Sequence, residues 1–498
     1  MKHIDTKNLL RTLKISKTWH TRLSDCPGIW STIRIQGHLG FTEADLAQLA
    51  KISHHVENLE LLDITDKHFC EGALVQIMRG TYKKLEKLEI CDCKIQNISN
   101  LILAVSRVAS TLTKLDISDR ENLPLIPFGT VLWMCQNLRE FRYSHKVVYS
   151  KQSLGSFGTP FMSSLTHLEL CMRGFRGDCL EEILPRCQKL RFLTLDGCRS
   201  STFSLIHRCC PDLEILVFNQ FHYQWTKSLL DDNSATRKGL RYAIVNLDDL
   251  SEFVPYLNEH RETIEELGIS MNFFDNGSGF RDLGELSNLK RLEISYTDAH
   301  ATLASLLQKS PSVESLTLIG CDLRNVGIIS AIETFKHLNN LKMVNKCDII
   351  YEDMQHLLQS FAQPLDGQRL KDIALIEGSF MDDALLHMLL DIRSLTNITL
   401  SYCRRLTPQG INSFCENLSR LPDFHTFVML GLRCVTDSTL ACLYNVKTLK
   451  NVTLDSLAAI TPGAVQALKH ATNAKIDCSD CYEASFAVDT SDSEEEED

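Results

Sequence analysis

A chain of 498 residues with 44% hydrophobic and 23% charged residues has the composition of a globular protein, with apolar side chains enough for a core and no case for wholesale disorder. Seven acids of the last ten residues account for most of the net charge of −11, and the rest of the chain carries only −4, so no nucleic-acid partner is expected. Residues 1–8 are too polar for a signal peptide, and no stretch approaches the roughly 18 uninterrupted apolar residues of a membrane span, so a cytoplasmic or nuclear protein with no membrane partner is expected.

In chain order, the first predicted element is helical. Leu10, Leu13 and Ile15 stand at helical spacing and are followed by Trp19 and Trp30, two of the four tryptophans, so residues 1–36 are read as a short helical segment that could cap the first repeat. From Leu59 onward one phrase returns sixteen times: an apolar residue, two variable ones, an apolar residue, one variable, an apolar residue. It opens as Leu59, Leu62, Ile64, continues as Leu85, Leu88, Ile90 and Leu112, Leu115, Ile117, and closes as Leu449, Val452, Leu454. The mean period of 26 is that of leucine-rich repeats. One unit is degenerate at Ala243, and the intervals leading to Leu370 and Phe424 stretch to 32 and 29, which implies insertions.

Alternation within the phrase predicts a strand, and the apolar spacing behind it (Leu180, Ile183, Leu184; Leu303, Leu306, Leu307) predicts one amphipathic helix per unit. Helices are broader than strands are far apart, so such a stack curves. The expected fold is an α/β leucine-rich-repeat solenoid over residues 37–484, a curved horseshoe with parallel strands on the concave face and helices on the convex face, forming one extended domain. Residues 485–498 read as a disordered acidic tail, in which Ser491 and Ser493 each have an acid three residues on and are candidate phosphorylation sites.

Nineteen cysteines in a long chain without a secretory signal are read as reduced thiols. Many fall just past the strand phrase (Cys93, Cys198, Cys321, Cys403) or just before the next (Cys187, Cys209, Cys210), where a small apolar side chain packs a turn. The pairs Cys91 and Cys93, and Cys478 and Cys481, lack a second pair at zinc-site spacing, so no metal is expected.

The units LTLDGCRSSTFSLIHRCCPDL, LTLIGCDLRNVGIISAIETFKHL and ITLSYCRRLTPQGINSFCENL, starting at Leu193, Leu316 and Ile398, carry strand phrase, cysteine and helix in the order of the cysteine-containing leucine-rich repeats of F-box proteins, which they resemble. The segment DTKNLLRTLKISKTWHTRLSDCPGIWSTIRI, residues 5–35, resembles the second half of an F-box, with Trp19 and Trp30 where that family has its two tryptophans. The family's opening Leu-Pro segment and first helix are absent. The resemblance implies that Leu10, Leu13, Ile15, Trp19 and Trp30 would dock a Skp-type adaptor and through it a cullin complex.

On the expected concave face the variable residues point away from the core. They read first as Asp63, Glu89, Asp116, Arg142, Glu169 and Thr194, and later as the apolar Val217, Ile244, Ile319, Val344, Ile376, Val428 and Leu430, the candidate partner-binding surface. Aromatic side chains past the strands, Phe221, Tyr223, Trp225, Phe273, Phe274 and Phe280, are candidate rim contacts or loop packing. No nucleotide-binding loop, zincin helix or nucleophile elbow occurs, so neither an active site nor a cofactor is expected. The resemblance implies a substrate-recognition subunit of a Skp/cullin/F-box ubiquitin ligase holding a protein substrate. The alternatives are a leucine-rich-repeat binding module without a ligase link and a GTPase-activating protein like that acting on Ran, which is also a horseshoe with an acidic tail.

Overall fold

In the computed structural model of the protein, the described residues are 6–13, 15–119, 128–145, 162–172, 180–219, 239–247, 249–271, 279–297, 299–344, 347–363 and 369–479. Where the sequence suggested one extended domain, the chain forms two compact units, Met1–Val245 and Asn246–Asp498.

The alternating phrases become strands, because successive side chains leave opposite faces of an extended backbone. In the first unit these are β1 (Thr32–Gln36), β2 (Asn58–Leu62), β3 (Lys87–Cys91), β4 (Lys114–Asp119), β5 (Glu140–His145), β6 (His167–Met172), β7 (Phe192–Asp196), β8 (Ile215–Phe218) and β9 (Tyr242–Leu247), which ends just past the boundary. Each pairs in parallel with the next, with Leu59 opposite Leu88, Leu115 opposite Phe141 and Leu168 opposite Leu193. The second unit holds β10 (Glu266–Met271), β11 (Arg291–Ser295), β12 (Ser315–Ile319), β13 (Asn340–Val344), β14 (Asp372–Ile376), β15 (Asn397–Ser401), β16 (Thr426–Leu430), β17 (Asn451–Asp455) and β18 (Lys475–Ser479). Its pairing is also parallel and sequential, with Leu292 opposite Leu316 and Ile398 opposite Phe427. Both units are leucine-rich-repeat solenoids.

Three details correct the sequence reading. The first phrase is Val56, Leu59, Leu61, all buried, because Leu59 and Leu61 lie opposite Leu88 and Ile90; Asp63 is then off the strand and Glu60 takes its place on the open face. Apolar side chains at 59, 61, 62 and 64 satisfy either register, and only pairing with β3 selects one. The ladder also begins earlier, since β1 lies inside residues 1–36 and pairs with β2, burying Ile33 and Ile35. It ends later, at β18, so eighteen strands rather than sixteen stand among the described residues.

The helices obey the expected spacing. Ile98–Val108 buries Leu101, Ala104, Val105 and Val108, and Tyr351–Ala362 buries Met354, Leu357, Leu358 and Phe361, each a single stripe at three- and four-residue steps. Adjacent repeats are tied at helix starts by acids. Asp383 accepts from the Thr407 N–H at 2.9 Å and from its hydroxyl at 2.6 Å, while Thr407 caps Pro408–Glu416 by accepting from Gly410. Asp437 does the same for Thr461, and the Glu71 carboxylate accepts from the backbone of Gln96 and Asn97.

Nine strand exits share one conformation. Two residues past the third phrase position the backbone turns left-handed, at Asp63, Asp92, Gly197, Tyr296, Gly320, Glu377, Tyr402, Gly431 and Ser456. The amide there reaches the carbonyl of the next strand, as from Asp92 to Ser118 at 2.8 Å and from Tyr402 to Leu430 at 2.9 Å. Asp, Asn and Gly bear this conformation at least cost, which explains most of the choices. Cysteine has its own place one residue on: the Cys93 thiol donates to Leu61 O at 3.3 Å, Cys321 to Ile294 O at 3.4 Å and Cys403 to Leu375 O at 3.7 Å. Each is a small buried side chain that fills the turn and bonds back to the preceding coil.

Candidate partner-binding surfaces

Three short helices, Thr6–Thr12, Lys17–Ser24 and Pro27–Trp30, precede β1. Leu10, Leu13 and Trp30 are buried, and the Trp30 indole N–H donates to Leu23 O at 2.5 Å. These three are therefore core of the cap, not the docking surface that the resemblance implied. Ile15 and Trp19 are the opposite case, 69% and 54% exposed, with Ser16 between them accepting from the Trp19 amide to start Lys17–Ser24. A surface for an adaptor would have to be built on this pair.

On the strand face of the first unit the charges are laddered. Arg34 pairs with Glu60, Lys114 with Glu140 at 3.0 Å, Arg142 with Glu169 at 3.0 Å and Arg191 with Glu214 at 2.7 Å, so these acids are each met by a cation of the neighbouring strand. Asp116 is held less well. Its Oδ2 lies 3.8 Å from Arg142, its buried Oδ1 has no hydrogen-bond partner, and burial pushes its carboxyl up to about 6, with Glu89 and Glu169 adding to the rise and Arg142 opposing it. Ligand atoms of Glu89, Cys91 and Asp116 lie within 4.8 Å of one another. Burial pushes the Cys91 thiol up to about 12, however, which leaves it a neutral donor rather than a thiolate ligand, and the Arg142 guanidinium already faces the carboxylates.

At β7 and β8 the open face closes. Every residue of both strands is buried, including Phe192, Ile215 and Val217. Val217 is thus a core residue and not a partner contact, because Phe192, Ile215 and Tyr242 form an apolar cluster on the outward side of the same strands. Ile244, next in register, is half-buried. Phe221, Tyr223 and Trp225 lie outside the described residues.

The second unit keeps an apolar row. Ile319 stands opposite Val344, Ile376 opposite Ser401 and Ser401 opposite Leu430, with Val428 two residues before Leu430 on the same face, and all five of these apolar side chains are half-buried. Sequence reasoning missed the two tyrosines just beyond this row. Tyr296 and Tyr402 sit at left-handed strand exits and are 56% and 47% exposed. The signal was available: an aromatic residue where most other repeats with this exit place Asp or Gly. A cavity of about 380 Å³ opens beside Tyr402 and is lined by Arg404, Gly431, Arg433 and Ser456. Phe280 is fully buried, so it is core rather than rim, while Phe273, Phe274, Ser491 and Ser493 lie outside the described residues.

No protein-family model matches the sequence, and no curated protein matches it. Among the solved structures that align with the chain, two cover 90% of it at 15% identity. One is the Rad7 and Elc1 complex in yeast, with a TM-score of 0.38 over 92% of that chain, and the other the TLR13–ssRNA13 complex, with a TM-score of 0.47 over 61% of that chain. Likeness at this distance says nothing about function.

Proposed function

We propose that this chain is a protein-recognition scaffold, and more specifically the substrate-recognition subunit of a Skp/cullin/F-box ubiquitin ligase. The observation that carries the recognition reading is the row Ile319, Val344, Ile376 and Leu430, apolar side chains left partly open on a strand face and bordered by exposed tyrosines. Covering such a row with a partner removes apolar area from water, and aromatic neighbours add binding energy. In this reading the protein to be modified lies on the second unit, and the chain performs no chemistry itself. The ligase link is supported by the F-box-like order of residues 5–35 and by the exposure of Ile15 and Trp19.

A pull-down of the full chain, probed for a Skp-type adaptor and repeated with Ile15→Ala/Trp19→Ala, tests the link. Capture by the unaltered chain and loss in the variant is the expected result. Trp30→Ala is a poor probe, since emptying a fully buried aromatic site costs about 3–5 kcal/mol and disrupts the cap itself. A second reading, a binding module without a ligase link, is favoured by the burial of Leu10, Leu13 and Trp30, which is what a solenoid cap requires. Absence of the adaptor from the unaltered chain would select it.

A further inference from the structure

Several arginines of the second unit are neutralised where they stand: Arg291 pairs with Glu266, Arg324 with Asp322 at both ends of its guanidinium, and Arg420 with Asp391. Arg404 and Arg433 are among those that are not, and they converge on one cavity. Both are exposed, neither makes an ion pair or side-chain hydrogen bond among the described residues, and both line the cavity of about 380 Å³ beside Tyr402. No carboxylate lines that cavity.

Its walls come from three consecutive strand exits: Tyr402 after β15, Gly431 after β16 and Ser456 after β17. Ala458 and Ala459 add small side chains to its lining. At Gly431, φ is +59° and a Cβ would clash with the Tyr402 ring, so only glycine lets the ring lie across that backbone as a wall. Tyr402 itself holds φ at +50°, a conformation that costs an L-residue about 1–2 kcal/mol and that five of the other eight such exits give to Asp or Gly. A bulky residue kept in a strained place beside a cavity points to use.

We propose that this cavity binds a phosphorylated serine or threonine side chain of a partner protein, with Arg404 and Arg433 holding the phosphate oxygens and the Tyr402 ring flanking them. A phosphorylated side chain brings about −1.5 to −2 charges and three acceptor oxygens to one point, which two guanidinium forks match. The surroundings narrow the ligand further. Glu377 takes the exit before Tyr402, and Asp455 ends the strand that leads to Ser456. These acids repel the extended polyanion of a nucleic acid but leave room for one phosphate on a polypeptide. Ile376 and Leu430, in the row just before these exits, offer apolar contact to the residues on either side of the modified one. The inference rests on the protein-recognition reading above and names the class of its partner.

The test uses two degenerate peptide libraries with a fixed central residue, phosphoserine in one and serine in the other, passed over the immobilised full chain. The phosphorylated library should be retained at least about tenfold better, and Arg404→Ala/Arg433→Ala should abolish the difference, as expected when the cationic side of a charged contact is removed. Equal retention of the two libraries overturns the proposal, as does a preference that survives the double substitution. A chain ending before residue 485 is run in parallel. If the preference appears only there, the chain's own acidic end fills the cavity and a partner in trans is refuted. The arginines are exposed and far in sequence from Ile15 and Trp19, so the adaptor pull-down still reports separately on the ligase reading.

Discussion

Replacing Asp116 by Asn should stabilise the first unit, by an amount that depends on pH. Asp116 stands between Glu89 and Arg142 in register, buried, with Oδ1 unbonded and its carboxyl pushed from 3.8 to about 6. Between those two values the folded chain binds the proton that the unfolded chain has released. Stability from this group is therefore fully present below 3.8 and is lost as pH rises through about 6. At about 1.4 kcal/mol for each pH unit, ionised Asp116 costs the fold up to roughly 3 kcal/mol at neutral pH. Asparagine keeps the shape without the charge and forfeits only a long contact to a half-exposed arginine, worth under about 1 kcal/mol. The expected net gain is about 1–3 kcal/mol near neutral pH, vanishing near pH 4, where the natural carboxyl is itself neutral. Urea unfolding followed by tryptophan fluorescence reads this unit alone, because Trp19, Trp30, Trp133 and Trp225 all lie within it. No gain near neutral pH, or an equal gain at both values, would refute the reasoning.

Asp383→Ala removes two acceptors that hold the cap of the next helix and should lower the stability of the second unit by about 1–3 kcal/mol in urea unfolding followed by circular dichroism; an unchanged midpoint would show that the clamp is idle. Tyr402→Asn installs a residue that tolerates the left-handed conformation, so the variant should gain about 1 kcal/mol in the same assay while Tyr402→Ala gains less. Burial holds the Cys403 and Cys434 thiols up at about 11 and those of Cys135 and Cys187 at about 12. Mass spectrometry after iodoacetamide should find these four modified only once the chain is denatured, and native labelling at the denatured rate would contradict their burial.

Much of the surface chemistry was legible in part. The residues that alternate with leucine do face outward, and Ile319, Val344, Ile376 and Leu430 form the half-open row that their positions implied. Val217 obeys the same pattern and is nonetheless buried, since alternation assigns a side chain to a face and is silent on what lies above that face. Trp19 and Trp30 look equivalent in sequence, yet one is exposed and the other is core, a difference set by how the short helices pack, the Trp30 indole turning in to Leu23.

The sequence by itself determined the repeat, the parallel strands, the helix stripes and the place of the cysteines, because each follows from the spacing of side chains along a regular backbone. Tertiary structure alone decided the register of the first phrase, the two additional strands and the division into two units. It also decided the meeting of Arg404, Arg433 and Tyr402 around one cavity. The reason is physical: Arg433 comes from the coil after that of Tyr402 and Arg404, some thirty residues on, and only stacking brings it to them.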